Sequence, residues 1–597
     1  MGEVLNQLKL LTNEEVKSFI QRYLPKNELM KNTNFSTNGN IGIDERNKKY
    51  YWVPRKESRL YDVCIQGNFC LFYGPRSCGK TTTIVDISDQ IYKESEFLPI
   101  YICMCLSISL SSHNEYWRDI IKAIYDSQGL SIPNEDILNL GITFFSNPNI
   151  FQGKKIILFL DEFDYIFSGS NEVINSINSQ FGILQKGKNC IQSCVAIGTY
   201  KVRDIVKGSG NCPFDQVHLL PNNFTREEVF SLYNVFETKQ KVLIDKKVKE
   251  EIFEKTDGHA GLVNYCGRIL NDYKPYGETY ISYEKWHKFY RIKSELEILN
   301  YQTTKRMVEF IEGCNELTQQ TLIKYAQMFP NSYHYTENEE IKDLFANGLL
   351  KKEKLDNIST EMKAKIPSLY IYICILVKIN HINRPKYPNI AIPLICGEYI
   401  HIPKLFYYLL PMFCFKNNMS FKNNRGSDPS NQLYNQQVPS ENFYQFQFLS
   451  HLSSAFPFVH ISLSVKEENT TKRVDSTLNY NNKMYVIEYA AHITDSDVFE
   501  HIKRTANYKK QIGSKVAWLI YFSVGGKKQK IQFKKYCSKY KDVGIIYIIH
   551  NMEFSNFDIS YYSPNDNSTS IESFISLSKP DPDSSNIEPK LTKIPMV

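Results

Sequence analysis

The residues with the most explicit chemistry stand in one short run: Gly74, Pro75, Arg76, Ser77, Cys78, Gly79, Lys80 and Thr81, followed by Thr82. Its G-x-x-x-x-G-K-[ST] spacing is what a loop needs to hold a nucleoside triphosphate. The glycines let backbone N–H groups close around phosphate oxygens, Lys80 meets the terminal phosphates, and the Thr81 hydroxyl ligates Mg²⁺. A second set follows at a distance, where five apolar residues, Ile156 to Leu160, run into Asp161 and Glu162. At the end of a strand buried on both faces, Asp161 would hold Mg²⁺ through water and Glu162 would orient the water that attacks the γ-phosphate. An adjacent acid pair, rather than one aspartate, points to hydrolysis and not to binding alone. The cofactors expected are therefore ATP and Mg²⁺.

Elements must hold these groups in place. The apolar run from Phe69 to Tyr73 reads as a strand, and beyond the glycine loop Ile84, Ile87 and Ile91 recur at helical spacing. That helix would bring its positive N-terminal dipole to the phosphates. A β-like run, FLPIYICMCLSISL, comes next, then a helix around Glu115 to Asp126 with Trp117, Ile120, Ile121 and Ile124 on one face, then the acid-tipped strand and another, Ser193 to Gly198. Strands alternating with helices imply a parallel sheet.

The segments PFDQVHLLPNNFTREEVFSLYNVFE and TDGHAGLVNYCGRIL resemble the part of AAA and STAND ATPases where the chain leaves the sheet for a helical lid. The resemblance covers roughly residues 60 to 275. It implies that Thr199, at the end of its strand, senses the γ-phosphate, and it makes Arg268 a candidate second sensor.

A different architecture follows a polar stretch. The order helix (capped near Ser440, with Glu441 in its first turn), three strands, helix, strand reads as αβββαβ. With Asp475 opening the second strand and Glu488 on the third, it resembles the PD-(D/E)xK nuclease fold. Carboxylates on neighbouring strands would make a hard-oxygen Mg²⁺ site that activates water beside a scissile phosphate. The lysine expected two residues after Glu488 is replaced by Ala490, and Lys483, His492, Lys503 and Arg504 are the nearby substitutes. On the following helix, His501, Arg504 and Tyr508 share a face that could meet phosphate. Together with P-S-E-x-x-Y-Q at Pro439 to Gln445 and R-x-D at Arg473 to Asp475, this helix is similar to the C-terminal domain of the Crinkler (crinkling and necrosis) effector family, in which a P-loop ATPase precedes a nuclease-like domain. The resemblance implies catalytic roles for Glu441, Asp475 and Glu488 and action on DNA. It also implies secretion into a host and work in the host nucleus, although neither a signal peptide nor the family's translocation motif is visible.

At 597 residues the chain is too long for a single core. The expected layout is an N-terminal helix and polar connector (1–60), a P-loop ATPase core (61–220), a helical lid (221–284), a helical or winged-helix-like module (285–415), a linker (416–438), the nuclease-like domain (439–555) and a disordered tail (556–597). A hydrophobic fraction of 42% with 23% charged residues is ordinary for a soluble globular chain. The net charge of +7 is too mild to argue by itself for nucleic acid, but Lys527, Lys528, Lys530, Lys534, Lys535, Lys539 and Lys541 form a basic stretch interleaved with aromatics. Fourteen scattered cysteines without C-x-x-C spacing suggest reduced thiols in an intracellular, reducing setting. No stretch approaches a membrane span, and the apolar run Ile366 to Ile379 reads as buried core. Two rival readings stay open: a binding module with a catalytically dead nuclease domain, and a STAND-type signalling ATPase that forms homo-oligomers.

Overall fold

The computed structural model describes residues 33–353 and 362–563 with short breaks, the longest at 383–391, 414–420, 424–436, 467–472 and 525–539, and two strands at 572–578 and 592–593. The expected helix at Val4 to Ile20, most of the 416–438 linker and nearly all of the basic lysine stretch lie outside the described residues. The chain divides into two compact units. The first holds residues to Ser294 with Tyr301–Thr303 and Phe345–Gly348, and the second holds the remainder.

The first unit is built on strands β1 (Phe69–Tyr73), β2 (Leu98–Cys103), β3 (Ile156–Asp161), β4 (Ile191–Gly198) and β5 (His218–Leu219). They pair in the order β2-β3-β4-β1-β5, all parallel. A parallel sheet has to be covered on both faces. Cys70, Phe72, Ile157, Phe159, Val195 and Ile197 face helices α1 (Ser58–Ile65) and α2 (Lys80–Glu94), while Leu71, Leu158, Leu160, Cys194 and Ala196 face α3 (His113–Ser127) and α4 (Asn171–Lys186). Helix α3 starts where the Ser112 side chain accepts from the Glu115 N–H, and it buries Tyr116, Trp117, Ile120, Ile121 and Ile124. Truncating a side chain the size of Trp117 to alanine there would cost about 3–5 kcal/mol. The β-like run after Phe97 stops at Cys103, because the chain turns at Met104–Cys105; the Met104 N–H makes the last bond to β3, to the Asp161 carbonyl at 2.9 Å.

Helices α5 (Arg226–Gln240), α6 (Lys246–Thr256) and α7 (Ala260–Tyr273) follow the sheet. Helix α5 opens with a capping box between Thr225 and Glu228. The polar connector before the sheet is more than a connector. Phe35 and Tyr51 bury themselves against Tyr233 and Phe236 of α5, and the Phe35 ring lies where a Cβ on Gly267 of α7 would stand. Arg46 pairs with Asp86 on α2. Isolated aromatics in a polar stretch give no periodicity, so the pattern alone did not reveal this packing.

Helix α8 (Gln302–Gly313) has its first two residues in the first unit and the rest in the second, which continues with α9 (Glu316–Met328), most of α10 (Glu339–Ala346) and three short antiparallel strands, Tyr333–His334, Lys351–Lys352 and Lys363–Lys365, the last of them central. Helix α11 (Leu369–Ile382) is buried without a break from Leu369 to Leu376, and no helix among the described residues is long and apolar enough to cross a membrane. Helix α12 (Ile402–Leu409) places Phe406 in a stack with Phe448 of α13 (Glu441–Ala455), centroids 4.1 Å apart.

The large sheet of this unit runs in sequence order: β6 (His460–Lys466), β7 (Arg473–Tyr480), β8 (Lys483–Ala491), β9 (Val516–Val524), β10 (Gly544–His550), β11 (Asn556–Tyr562), β12 (Glu572–Ser578) and β13 (Thr592–Lys593). The β8-β9 and β9-β10 pairs are parallel, and the others are antiparallel. Helix α14 (Asp495–Ile512) provides the crossover between β8 and β9, setting Val498 and Ile502 on Ala490, Leu519 and Tyr521. On α13, Tyr444 stacks on Phe522 with centroids 4.0 Å apart. Strands β11, β12 and β13 stand where a disordered tail was expected. Phe557 and Ile559 alternate with polar residues and are buried, which is the period of a half-covered strand.

Candidate nucleotide site and candidate carboxylate site

In the first unit the sheet order sets the geometry. Tyr73 is the register partner of Gly198, and the Gly74 N–H donates to the Gly198 carbonyl at 3.2 Å. The glycine loop therefore leaves β1 beside the end of β4, one strand away from β3, at the carboxyl edge where open α/β sheets bind ligands. Gly74 has no room for a side chain, since a Cβ would lie 2.9 Å from Pro221. Gly79, at φ 92°, turns the loop into α2 in the left-handed region that glycine enters freely. The Lys80 ammonium donates to the carbonyls of Gly74 (3.1 Å) and Pro75 (2.8 Å), so it folds back over the loop.

Asp161 is buried and gathers three donors. The hydroxyls of Thr81 (2.7 Å) and Tyr101 (2.8 Å) reach Oδ2, and the Glu162 N–H reaches Oδ1 (2.9 Å). Burial, and then the Asp161 charge, push the Tyr101 phenol far up, so it stays a donor. Glu162 is exposed, with its backbone in the left-handed region at φ 54°. Thr199 follows β4, and its N–H is taken by both oxygens of Asp164 at 2.8 and 2.9 Å. That approach needs Gly198, because a Cβ there would fall 2.0 Å from Asp164 Oδ1. The hard oxygens of Thr81 and Asp161, already in contact, are a donor set suited to Mg²⁺.

The loop is also tied to α7 and to the start of α8. Ser77 sits at φ 58°, a conformation costing a non-glycine residue of order 1 kcal/mol or more. It is fixed by the Gly261 N–H on its carbonyl (3.1 Å) and by Thr303 on its hydroxyl (2.7 Å). His259 caps α7, taking the Leu262 N–H on Nδ1 (3.3 Å), while Nε2 meets the Arg76 carbonyl at 3.3 Å. Arg268, the candidate second sensor, is exposed and is held by Thr37 (2.8 Å) and Asp272 (3.2 Å).

In the second unit, β7 and β8 are in register at Ser476 and Ile487, so Asp475 and Glu488 stand one step further on and face each other across the strands. Asp475 Oδ2 accepts from the Tyr489 N–H (2.8 Å), and Gln445 holds the Asp475 carbonyl (2.8 Å). Glu488 is fully buried. Arg504 and His501 of α14 approach its Oε1, His501 at 3.6 Å, and its Oε2 has no hydrogen-bond partner among the described residues. Burial raises both carboxyls, with Glu488 repelling Asp475 and Arg504 partly opposing the rise at Glu488, which reaches about 7. Glu441 accepts from the Ala491 N–H at 3.4 Å. Among the described residues no three His, Cys, Asp or Glu side chains are grouped closely enough to hold a metal ion. Two facing carboxylates, one of them with an orphan buried oxygen, still fit a hard divalent cation.

Of the lysine substitutes, Lys483 lies over the Tyr399 ring (3.7 Å), Lys503 pairs with Glu500 (3.6 Å) on the surface, and His492 lies outside the described residues. Arg504 alone among the described substitutes is placed at Glu488. Tyr508 acts on the charge of Arg504 but does not face the carboxylates as a surface group. It is buried against Val486 and Ala517, because the helix face that carries Arg504 turns into the core one turn later. Asp164, Tyr101 and the contacts of Ser77 with Gly261 and Thr303 were not anticipated, since all of them join segments far apart in sequence.

No protein-family model matches this chain, and no curated protein does. Among solved structures it is similar to the Walker-type ATPase PABY2304 of Pyrococcus abyssi, at 12% identity and a TM-score of 0.40, covering 57% of this chain and 99% of that one. It is also similar to the ORC2 protein of Aeropyrum pernix in its ADPNP–ADP complexes (15% identity, 54% and 91% covered, TM-score 0.33). A third is Cdc6p from Pyrobaculum aerophilum (12% identity, 56% and 97% covered, TM-score 0.31). At such scores these are likenesses only. The P-loop ATPase fold of the first unit is read from its own loop, acid pair and sheet order.

Proposed function

We propose that this chain hydrolyses ATP in its first unit and uses the nucleotide state to control a nuclease-like second unit that acts on DNA, in the manner of Crinkler effectors. The observation that carries the reading is the Thr81–Asp161 contact at the mouth of the glycine loop, with Lys80 beside it. Bound Mg²⁺ would neutralise charge on the β- and γ-phosphates. Lys80 would exchange its two loop carbonyls for phosphate oxygens. Glu162, free to face solvent, would orient and deprotonate the attacking water, and Thr199, set by Asp164, would sense the γ-phosphate.

In the second unit Asp475 and Glu488 would hold a divalent cation with Glu441 assisting, and Arg504 would supply the positive charge that Ala490 cannot. One observation favours a rival. Ala490 is sealed under Val498 and Ile502, which suits a domain that recognises nucleic acid or a host protein without cleaving it.

The discriminating experiment is Mg²⁺-dependent degradation of plasmid DNA, with and without ATP, by the wild type and by a double variant, Asp475→Ala with Glu488→Ala. Cleavage that disappears in the variant supports the nuclease. Absence of cleavage by folded, ATP-hydrolysing protein supports the binding module.

A further inference from the structure

Beta strand β2 ends one residue before a turn, and two thiols meet there. Cys103 is the register partner of Asp161, Met104 donates its N–H to the Asp161 carbonyl at 2.9 Å, and the turn at Met104–Cys105 brings the sulfurs of Cys103 and Cys105 to 3.4 Å. Cys105 is the one exposed cysteine among those described, and Cys103 is half-buried, whereas Cys64, Cys70, Cys78, Cys190, Cys194, Cys212, Cys266 and Cys374 are all buried. A disulfide needs the sulfurs at about 2.05 Å, so the pair must close by little more than an ångström.

We propose that Cys103 and Cys105 are a dithiol modification site that peroxides oxidise to an intramolecular disulfide, and that the disulfide disturbs Asp161. The thiolate of Cys105, which solvent reaches, attacks a peroxide oxygen and breaks the O–O bond, giving a sulfenic acid and releasing hydroxide from hydrogen peroxide. The Cys103 sulfur then attacks the sulfenic sulfur. The S–O bond breaks, the S–S bond forms, and the oxygen leaves as water with the proton that Cys103 gives up. Two thiols and one hydrogen peroxide thus yield one disulfide and two waters, and an external dithiol reverses the step. Drawing the sulfurs together tightens the turn that carries the Met104 N–H, and this N–H holds the backbone of the residue that positions Thr81.

The inference rests on the ATPase reading for its effect, but not for the site. The test is a mass measurement on the tryptic fragment 94–118 of the full-length protein, which contains these two cysteines and no others. After hydrogen peroxide it should lose two hydrogens, regain them with dithiothreitol, and fail to lose them in Cys105→Ser. In parallel, ATP hydrolysis by the wild type should fall at least about tenfold and recover on reduction, since an ångström of misplacement at a reacting centre costs up to about 10²-fold. Cys105→Ser, on the surface, should keep its basal rate and resist peroxide. An unchanged fragment mass would overturn the proposal, and so would a disulfide that leaves hydrolysis unaltered. Reduced wild type that does not hydrolyse ATP would count against the ATPase reading instead, with the fragment mass still deciding the dithiol.

Discussion

Lys80 and Glu162 divide binding from chemistry, and single substitutions should separate them. Lys80→Ala removes the cation placed over the carbonyls of Gly74 and Pro75, and ATP binding, followed with a fluorescent analogue, should be lost without loss of fold, because the side chain is only half-buried. Glu162→Gln should keep binding and lower the hydrolysis rate by about 10²–10⁴-fold, the usual contribution of a general base. Retained ATP affinity in the lysine variant would remove the nucleotide assignment.

His550 offers a test of a different kind. It is buried, its Nε2 accepts from the Tyr444 hydroxyl at 2.7 Å, and its Nδ1 donates to the Asn551 carbonyl at 2.7 Å. Burial lowers its pKa to about 4. Between that value and the unfolded value of about 6.5 the unfolded chain binds the extra proton, so stability is full above about pH 6.5 and falls as the pH drops toward 4. The loss attributable to this one group approaches about 3 kcal/mol. His550→Gln keeps a donor and an acceptor but cannot be protonated. Relative to wild type it should therefore gain stability as the pH is lowered through this window, as read by denaturant unfolding at each pH. A difference that does not vary with pH would show that His550 is not held neutral.

At the scale of elements, α7 and the glycine loop are one construction. The turn into α7 relies on Gly258 at φ +66°, where a Cβ would lie 2.1 Å from the Phe224 carbonyl oxygen, and on His259, whose two ring nitrogens cap the helix and meet the loop. Gly258→Ala combines a disfavoured backbone with a backbone clash, and it should destabilise the first unit by several kcal/mol. His259→Ala should cost about 1 kcal/mol for the lost cap and, by freeing the Arg76 carbonyl, weaken nucleotide binding further. Thermal unfolding of the two variants with and without ATP checks both.

Elements are also where the sequence was most and least legible. The loop, the acid-tipped strand and α3 could be read because each signal is contiguous: a motif, an apolar run, or a helical repeat of Trp117, Ile120, Ile121 and Ile124. The contacts that position them could not, since Asp164 meets Thr199, Tyr101 meets Asp161, and Phe35 meets α5 only after the chain has folded. The helix carrying His501, Arg504 and Tyr508 shows the limit. Spacing put the three on one face, but that face serves a carboxylate at Arg504 and the core at Tyr508.

For the whole molecule, the division into two units has a thermodynamic consequence. Each has its own sheet and its own buried aromatic core, so unfolding should not be two-state, and a ligand confined to one unit should stabilise that unit alone. ATP at about a hundred times its dissociation constant adds about 2.7 kcal/mol to the state that binds it. For a unit of about three hundred residues this should appear as a shift of several degrees in one calorimetric transition, with the other unmoved. The shift should vanish in Lys80→Ala and persist in Glu162→Gln, which binds without hydrolysing. If both transitions moved together with ATP, the nucleotide's effect would be reaching Asp475 and Glu488 through the fold itself. That is the behaviour expected if nucleotide state controls the second unit by holding it in one conformation rather than by releasing it.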